Sequence, residues 1–134
     1  MQNLHFTIHE KNTNEFLYTG LKIDLKWVVA FISSNKIKKN SIKIILDSNI
    51  IKGSPIERYC SKKYDLFLKQ TTLLDVLNSE SPFFKFGRGL IINRKYASSF
   101  VYRADYKITF DNIILDTPKW SRRKILKILT VNSS

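Results

Sequence analysis

The chain has 134 residues, 43% of them hydrophobic, which fits one domain with a tail and excludes disorder from end to end. Its 23 Lys and Arg against 11 Asp and Glu leave a net charge of +12. Self-repulsion of that size favours a polyanionic partner, whether nucleic acid, an anionic membrane surface or a strongly acidic protein. The longest purely apolar run, Trp27 to Ile32, is far shorter than the roughly 18 residues a membrane-spanning helix needs.

In chain order, Leu4 to Ile8 alternates apolar and polar residues and predicts a strand. Leu17, Leu21, Leu25, Val28 and Ile32 then fall at helical spacings, while Leu21, Ile23, Leu25 and Trp27 alternate as in a strand. A helix is expected over Lys26 to Ser34, with 16–25 left open between the two patterns. Asn35 to Asn40 reads as a basic turn and the β-branched Ser41 to Leu46 as a strand. Asn49 to Lys52 extends that strand until Gly53-Ser54-Pro55 interrupts it. Tyr64 to Leu68 is the next strand, continuing towards Leu77, and Asn78 to Pro82 is a turn. A short helix is expected around Ile91 to Phe100, and the alternation from Tyr102 to Phe110 predicts one last strand. Thr117-Pro118 offers an N-cap and a first-turn proline for a basic amphipathic helix over Lys119 to Leu129. The order predicts an α+β fold of βαββαβ plan. Residues 1–116 form a single RNA-binding domain and 117–134 a basic C-terminal helical extension.

Little in the chain suggests catalysis. His5 and His9 lie four apart with no Cys or acidic cluster beside them, so no metal is expected. Cys60 has the basic neighbours Arg58, Lys62 and Lys63, which would lower its pKa, but no His lies near it in sequence. Carboxylates are scattered singly, without the pairs that acid–base or two-metal chemistry requires, and no cofactor or small-molecule substrate is implied. Gly87-Arg88-Gly89 is the tightest glycine pair, a candidate turn laying backbone and one Arg against phosphate.

Basic residues with interleaved aromatics recur instead. They are Lys36, Lys38 and Lys39; Arg58-Tyr59; Lys62-Lys63-Tyr64; Lys85-Phe86-Gly87-Arg88; Arg94-Lys95-Tyr96; and Trp120 with Arg122, Arg123 and Lys124. Cations neutralise phosphates and aromatics stack on splayed bases, so six clusters favour a protein contacted by RNA on several sides. No helix-turn-helix or zinc-finger spacing is present.

Ser54-Pro55, Ser61-Lys62-Lys63, Tyr64-Asp65-Leu66, Leu73-Leu74-Asp75-Val76 and Tyr106-Lys107-Ile108-Thr109-Phe110 together resemble the universal small-subunit ribosomal protein number ten, the bacterial S-ten family. The likeness covers residues 41–77 and 102–110. Ile56 stands where the family usually has histidine, and the Tyr64 triplet comes one residue early. The resemblance implies a ferredoxin-like fold with a long basic hairpin whose tip is Ser54, Pro55, Arg58, Lys62 and Lys63. It further implies rRNA and neighbouring small-subunit ribosomal proteins as partners. The basic segment 118–129 looks like extensions of organellar members, and the Ile-, Lys- and Asn-rich composition fits an AT-rich genome. A mitochondrial ribosome is thus the expected location, or the cytoplasmic ribosome of an AT-rich bacterium. The expected function is structural, through rRNA binding at Lys38, Lys39, Ser54, Pro55, Arg58, Lys62, Lys63, Arg88, Arg94, Lys95, Arg122, Arg123 and Lys124. The alternatives are an accessory subunit of an organellar membrane complex and a small phage or plasmid nucleic-acid enzyme.

Overall fold

The computed structural model describes residues 3–13, 15–17, 20–34, 41–68, 82–87 and 89–133. Lys36, Lys38, Lys39, Arg88 and the family-like segment 73–76 lie outside the described residues. The chain divides into two compact units, Met1–Ser81 and Pro82–Ser134, so that 117–134 belongs to the same unit as 82–116.

The first unit holds strands β1 (Asn3–Leu4), β2 (Phe6–Glu10), β3 (Glu15–Leu17), β4 (Ile23–Asp24), β5 (Val28–Ser34), β6 (Ser41–Leu46) and β7 (Tyr64–Leu68). Its main strands lie side by side in the order β3-β2-β7-β6-β5 with antiparallel neighbours, and β1 pairs separately with β4. β2 follows its sequence, with Phe6 and Ile8 buried at alternate positions.

The expected helix over Lys26 to Ser34 is instead a short 3-10 turn, Leu25–Trp27, leading into β5. Asp24 caps the turn, its Oδ1 accepting from the Lys26 N–H at 3.0 Å. In β5, Val28, Val29, Ala30 and Phe31 are all buried, so both faces are covered and the two-residue alternation disappears. Without it, the chance spacing of Leu25, Val28 and Ile32 mimics a helix, while the valines favour the strand. A register shift between Val28 and Ala30 marks a bulge.

The long basic hairpin is also corrected. Residues 47–63, between β6 and β7, form turns and a 3-10 helix, Pro55–Tyr59. Ile51 and Ile56 are each 2% exposed, which anchors the connection to the core instead of letting it project. Burying such a side chain contributes roughly 1.5–3 kcal/mol, enough to hold the connection down. The Asn49 to Lys52 continuation of the strand is likewise a turn, begun by the Asp47 carboxylate accepting from the Asn49 N–H at 3.0 Å.

The second unit holds β8 (Phe83–Lys85), β9 (Leu90–Asn93), α1 (Arg94–Ala97), β10 (Val101–Arg103), β11 (Lys107–Phe110), β12 (Ile113–Asp116) and α2 (Arg122–Val131). β8 and β9 form a hairpin closed by the Phe86 N–H donating to the Leu90 carbonyl at 2.8 Å. β10, β11 and β12 form an antiparallel three-stranded sheet. The single strand expected from Tyr102 to Phe110 is therefore two strands, joined through Asp105 and Tyr106 at φ +62° and +58°. The tight turn preserves the alternation, which is why the break is invisible in the pattern. The C-terminal helix starts later than expected. Ser121, not Thr117, is its N-cap, with Oγ accepting from the Lys124 N–H at 3.2 Å. Ile125 and Leu129 form its buried stripe.

The chain is thus mostly β, with two α-helices among the described residues, and the ferredoxin-like α+β βαββαβ plan is overturned. Where that plan needs a crossover helix, between the first strand and Ser41, the described residues form β3, β4 and β5.

Candidate nucleic-acid interface

In the first unit, Arg58, Lys62 and Lys63 are exposed, Ser54 is half-buried and Pro55 opens the 3-10 helix. Ser54 Oγ is committed to the Ile51 carbonyl at 2.6 Å. Arg58 lies 5.1 Å from the ring centre of Tyr59, which meets Tyr64 edge-on at 5.4 Å. Lys63 also belongs to the fold, since its carbonyl accepts from the Lys11 N–H at 2.9 Å. Two nearby cations share one carboxylate, Asp65, which lies 3.1 Å from Lys43 and 3.5 Å from Lys11 and offsets one of their two charges.

The second unit is far more basic. It holds 11 of the 23 Lys and Arg but three of the 11 acidic residues, and so carries +8 of the total +12 on 53 residues. Arg122, Arg123, Lys124 and Lys127 are all exposed on α2. None of the four is ion-paired to a described carboxylate, and the first turn of the helix contains no acidic residue. Three cations therefore crowd the positive end of the helix dipole, an arrangement unfavourable by roughly 0.3–1 kcal/mol per charge until an anion arrives. Arg122 lies 5.8 Å from the ring centre of Tyr102, and the Lys124 ammonium 4.2 Å from that of Trp120. Arg94 and Lys95 sit on α1. Lys95 is exposed, whereas Arg94 is partly spent on the fold, donating from Nη1 to Asn132 Oδ1 at 2.6 Å.

Beside α2 is a cavity of about 460 Å³ lined by Asp116, Thr117, Pro118 and Trp120. Thr117 Oγ1 itself is shielded from solvent and lacks a hydrogen-bond partner, although the Thr117 N–H donates to the Tyr106 carbonyl at 2.8 Å. Trp120 rests on Phe86, their ring centres 5.6 Å apart, and its Cη2 would lie 3.3 Å from a Cβ at residue 87. The same Cβ would collide with the Pro118 ring. Gly87, at φ +72°, is thus required by the packing of Pro118 and Trp120, a role different from the phosphate turn expected of it. Sequence reasoning picked out Trp120 among its cations but took Thr117 for a helix cap, and nothing in the pattern marked Asp116 as its companion.

The Cys60 thiol donates to the Ile56 carbonyl at 3.5 Å although the residue itself reaches solvent. Burial of the thiol, and then the Glu57 carboxylate, push it up to about 11, the reverse of the lowering expected from its basic neighbours. His9 is 2% exposed, with both ring nitrogens unpartnered, and packs against Phe16 and Phe67 with ring centres 5.0 and 6.1 Å away. Among the described residues no three His, Cys, Asp or Glu gather as a metal site, and no helix is long and apolar enough to cross a membrane. Comparison with protein-family models, with curated proteins and with solved structures finds no match.

Proposed function

We propose that this protein is a non-catalytic RNA-binding component of a ribonucleoprotein, such as the small ribosomal subunit. One observation carries the reading. The first turn of α2 presents Arg122, Arg123 and Lys124 without an acidic residue, in a unit of net charge +8. A helix N-terminus already favours anions, and cations placed there are tolerated best when phosphate occupies the same space. RNA binding of this kind draws its affinity from counterion release; Lys127 and Lys95 add exposed cations within the same unit, and Lys62 and Lys63 add others in the first unit. The hairpin tip that the S-ten resemblance implied is a folded connection, so the reading rests on charge and on α2 instead.

The test is sedimentation of a native lysate with and without magnesium chelation. Co-migration with small-subunit rRNA that shifts when magnesium is removed supports the ribosomal reading. Detergent-dependent migration, or migration free at the top of the gradient with no RNA retained, overturns it.

A further inference from the structure

We propose that the solvent-facing side of the β10–β12 sheet docks onto the same side of a second copy of the chain, forming a weak twofold dimer in which Arg103 of each copy meets Asp116 of the other. The inference stands apart from the RNA-binding reading and adds a protein partner to it.

Alternation along the three strands puts two cross-strand rows on this side, Val101, Thr109 and Ile114 in one and Arg103, Lys107 and Asp116 in the next. The opposite side carries Ile108 and Leu115, both buried, and Tyr102, beside which Arg122 of α2 lies. Val101 and Ile114 are 61% and 63% exposed. Arg103, Lys107 and Asp116 are exposed too, and none is ion-paired to a described residue. The first row thus has an aliphatic at each end, and the second has opposite charges at its ends. A twofold axis running along β11 lays β12 of one copy over β10 of the other. It sets Ile114 against Val101 and Asp116 against Arg103, twice each, which is the self-complementarity an isologous contact requires. A twofold axis running across the strands would instead lay β10 on β10 and β12 on β12, so that Asp116 would meet no arginine. Sheets packed face to face lie about 10 Å apart with their side chains interdigitated. Lys107 and Thr109 sit on the axis and meet themselves. The joined faces therefore hold four cations and two carboxylates, and each chain carries +12. Three short strands also offer less than the roughly 800 Å² per partner of a standard interface, so the dimer is weak and strengthens with salt. Because Tyr102 and Arg122 lie on the opposite side of β10, docking leaves the α2 cations open to RNA.

The test is sedimentation equilibrium of the RNA-free full chain from about 10 μM to about 1 mM, in about 0.15 M salt. The expected result is a reversible monomer–dimer equilibrium with nothing larger. Arg103→Asp and Asp116→Arg should each weaken the dimer at least tenfold, because each sets like charges together. Arg103→Asp also lowers the net charge of the chain, so bulk repulsion cannot account for weakening by that variant. An equimolar mixture of the two variants should restore wild-type affinity as a heterodimer. The mixed pair regains both contacts and carries the same total charge as two wild-type copies. Lys107→Met, on the axis, should tighten the dimer about threefold, whereas Lys119→Met removes the same charge outside the two rows and should not. Circular dichroism checks that each variant is folded, and the contrast between Lys107→Met and Lys119→Met decides the matter if a charge-reversed variant is not. A wild-type chain that stays monomeric at about 1 mM overturns the dimer. Growth into larger species does so too, since strand addition at open edges does not close. Charge-reversed variants that fail to rescue one another overturn the pairing of Arg103 with Asp116.

Discussion

Arg94 and Asn132 hold α1 to the end of α2. The guanidinium donates from Nη1 to Asn132 Oδ1 at 2.6 Å, while the Asn132 N–H closes the helix on the Ile128 carbonyl. Arg94 also lies 5.3 Å from the ring centre of Phe84. This expected RNA-binding residue is thus a structural tie. Arg94→Ala should cost roughly 1.5–3 kcal/mol in urea denaturation, the value of a hydrogen bond involving a charged group. Arg94→Lys keeps the charge but not the planar fork, and should recover less than half of the loss.

Gly87 should tolerate no side chain. Alanine there meets Pro118 and must adopt φ +72°. Left-handed strain alone is worth about 1–3 kcal/mol, so Gly87→Ala should lower the unfolding free energy by at least that range. Gly53, at φ +82° with open space around it, is the control and should show the strain without the collision.

The Cys60 thiol should react slowly. With its pKa at about 11 in place of 9.0, the thiolate is about a hundredfold scarcer at pH 8 than in an unhindered cysteine. Disulfide exchange with an aromatic reagent should be slow in the native protein and fast in denaturant. The linkage has a definite sign. The folded state holds this proton more tightly, so its contribution to stability is intact below pH 9 and lost as pH rises towards 11. Cys60→Ser should flatten that part of the alkaline stability profile.

Neutralising Arg122, Arg123 and Lys127 together should reduce the slope of log K against log salt by about 2 for single-stranded RNA, at roughly 0.7 per phosphate contact. Circular dichroism should be unchanged, since all three are exposed and none is ion-paired to a described carboxylate. Charge reversal at Lys62 and Lys63, in the other unit, should weaken assembly into the particle independently of the α2 variants.

Two strands were legible in part. Ser41 to Leu46, marked by β-branching, and Tyr64 to Leu68 are strands as expected, but the continuation of the first to Lys52 is a turn and that of the second towards Leu77 lies outside the described residues. β5 was not, because burial on both faces erases the alternation, and the residual spacing imitates a helix. The turn at Asp105 and Tyr106 was hidden because it keeps the pattern in phase on both sides. Thr117-Pro118 carries a helix-start signature, yet the cap is Ser121, and Pro118 packs where a side chain at Gly87 would stand. Of the site, the α2 cations and Trp120 were readable as composition. The cavity was not, since it depends on how the loop before α2 packs against residue 87.

The sheet of β10, β11 and β12 has two open edges among the described strands, and it exposes Val101 and Ile114 at 61% and 63% on either side of Thr109. Exposed aliphatics beside unpaired edges invite a second copy of the chain to add its own strand. Two residues along, the next cross-strand row on the same face is Arg103, Lys107 and Asp116, so each edge carries a charge, with cations on β10 and at the sheet centre. An incoming copy that pairs like edges, β10 on β10 or β12 on β12, brings like charges to within the inter-strand spacing of about 4.8 Å, which is repulsive in dilute salt. Concentrated salt screens that repulsion and strengthens apolar association, and it is also what strips a basic protein from RNA. If the proposed RNA binding holds, salt used to remove nucleic acid also disarms the guard between like edges, and the purified chain should be most prone to that self-association in concentrated salt.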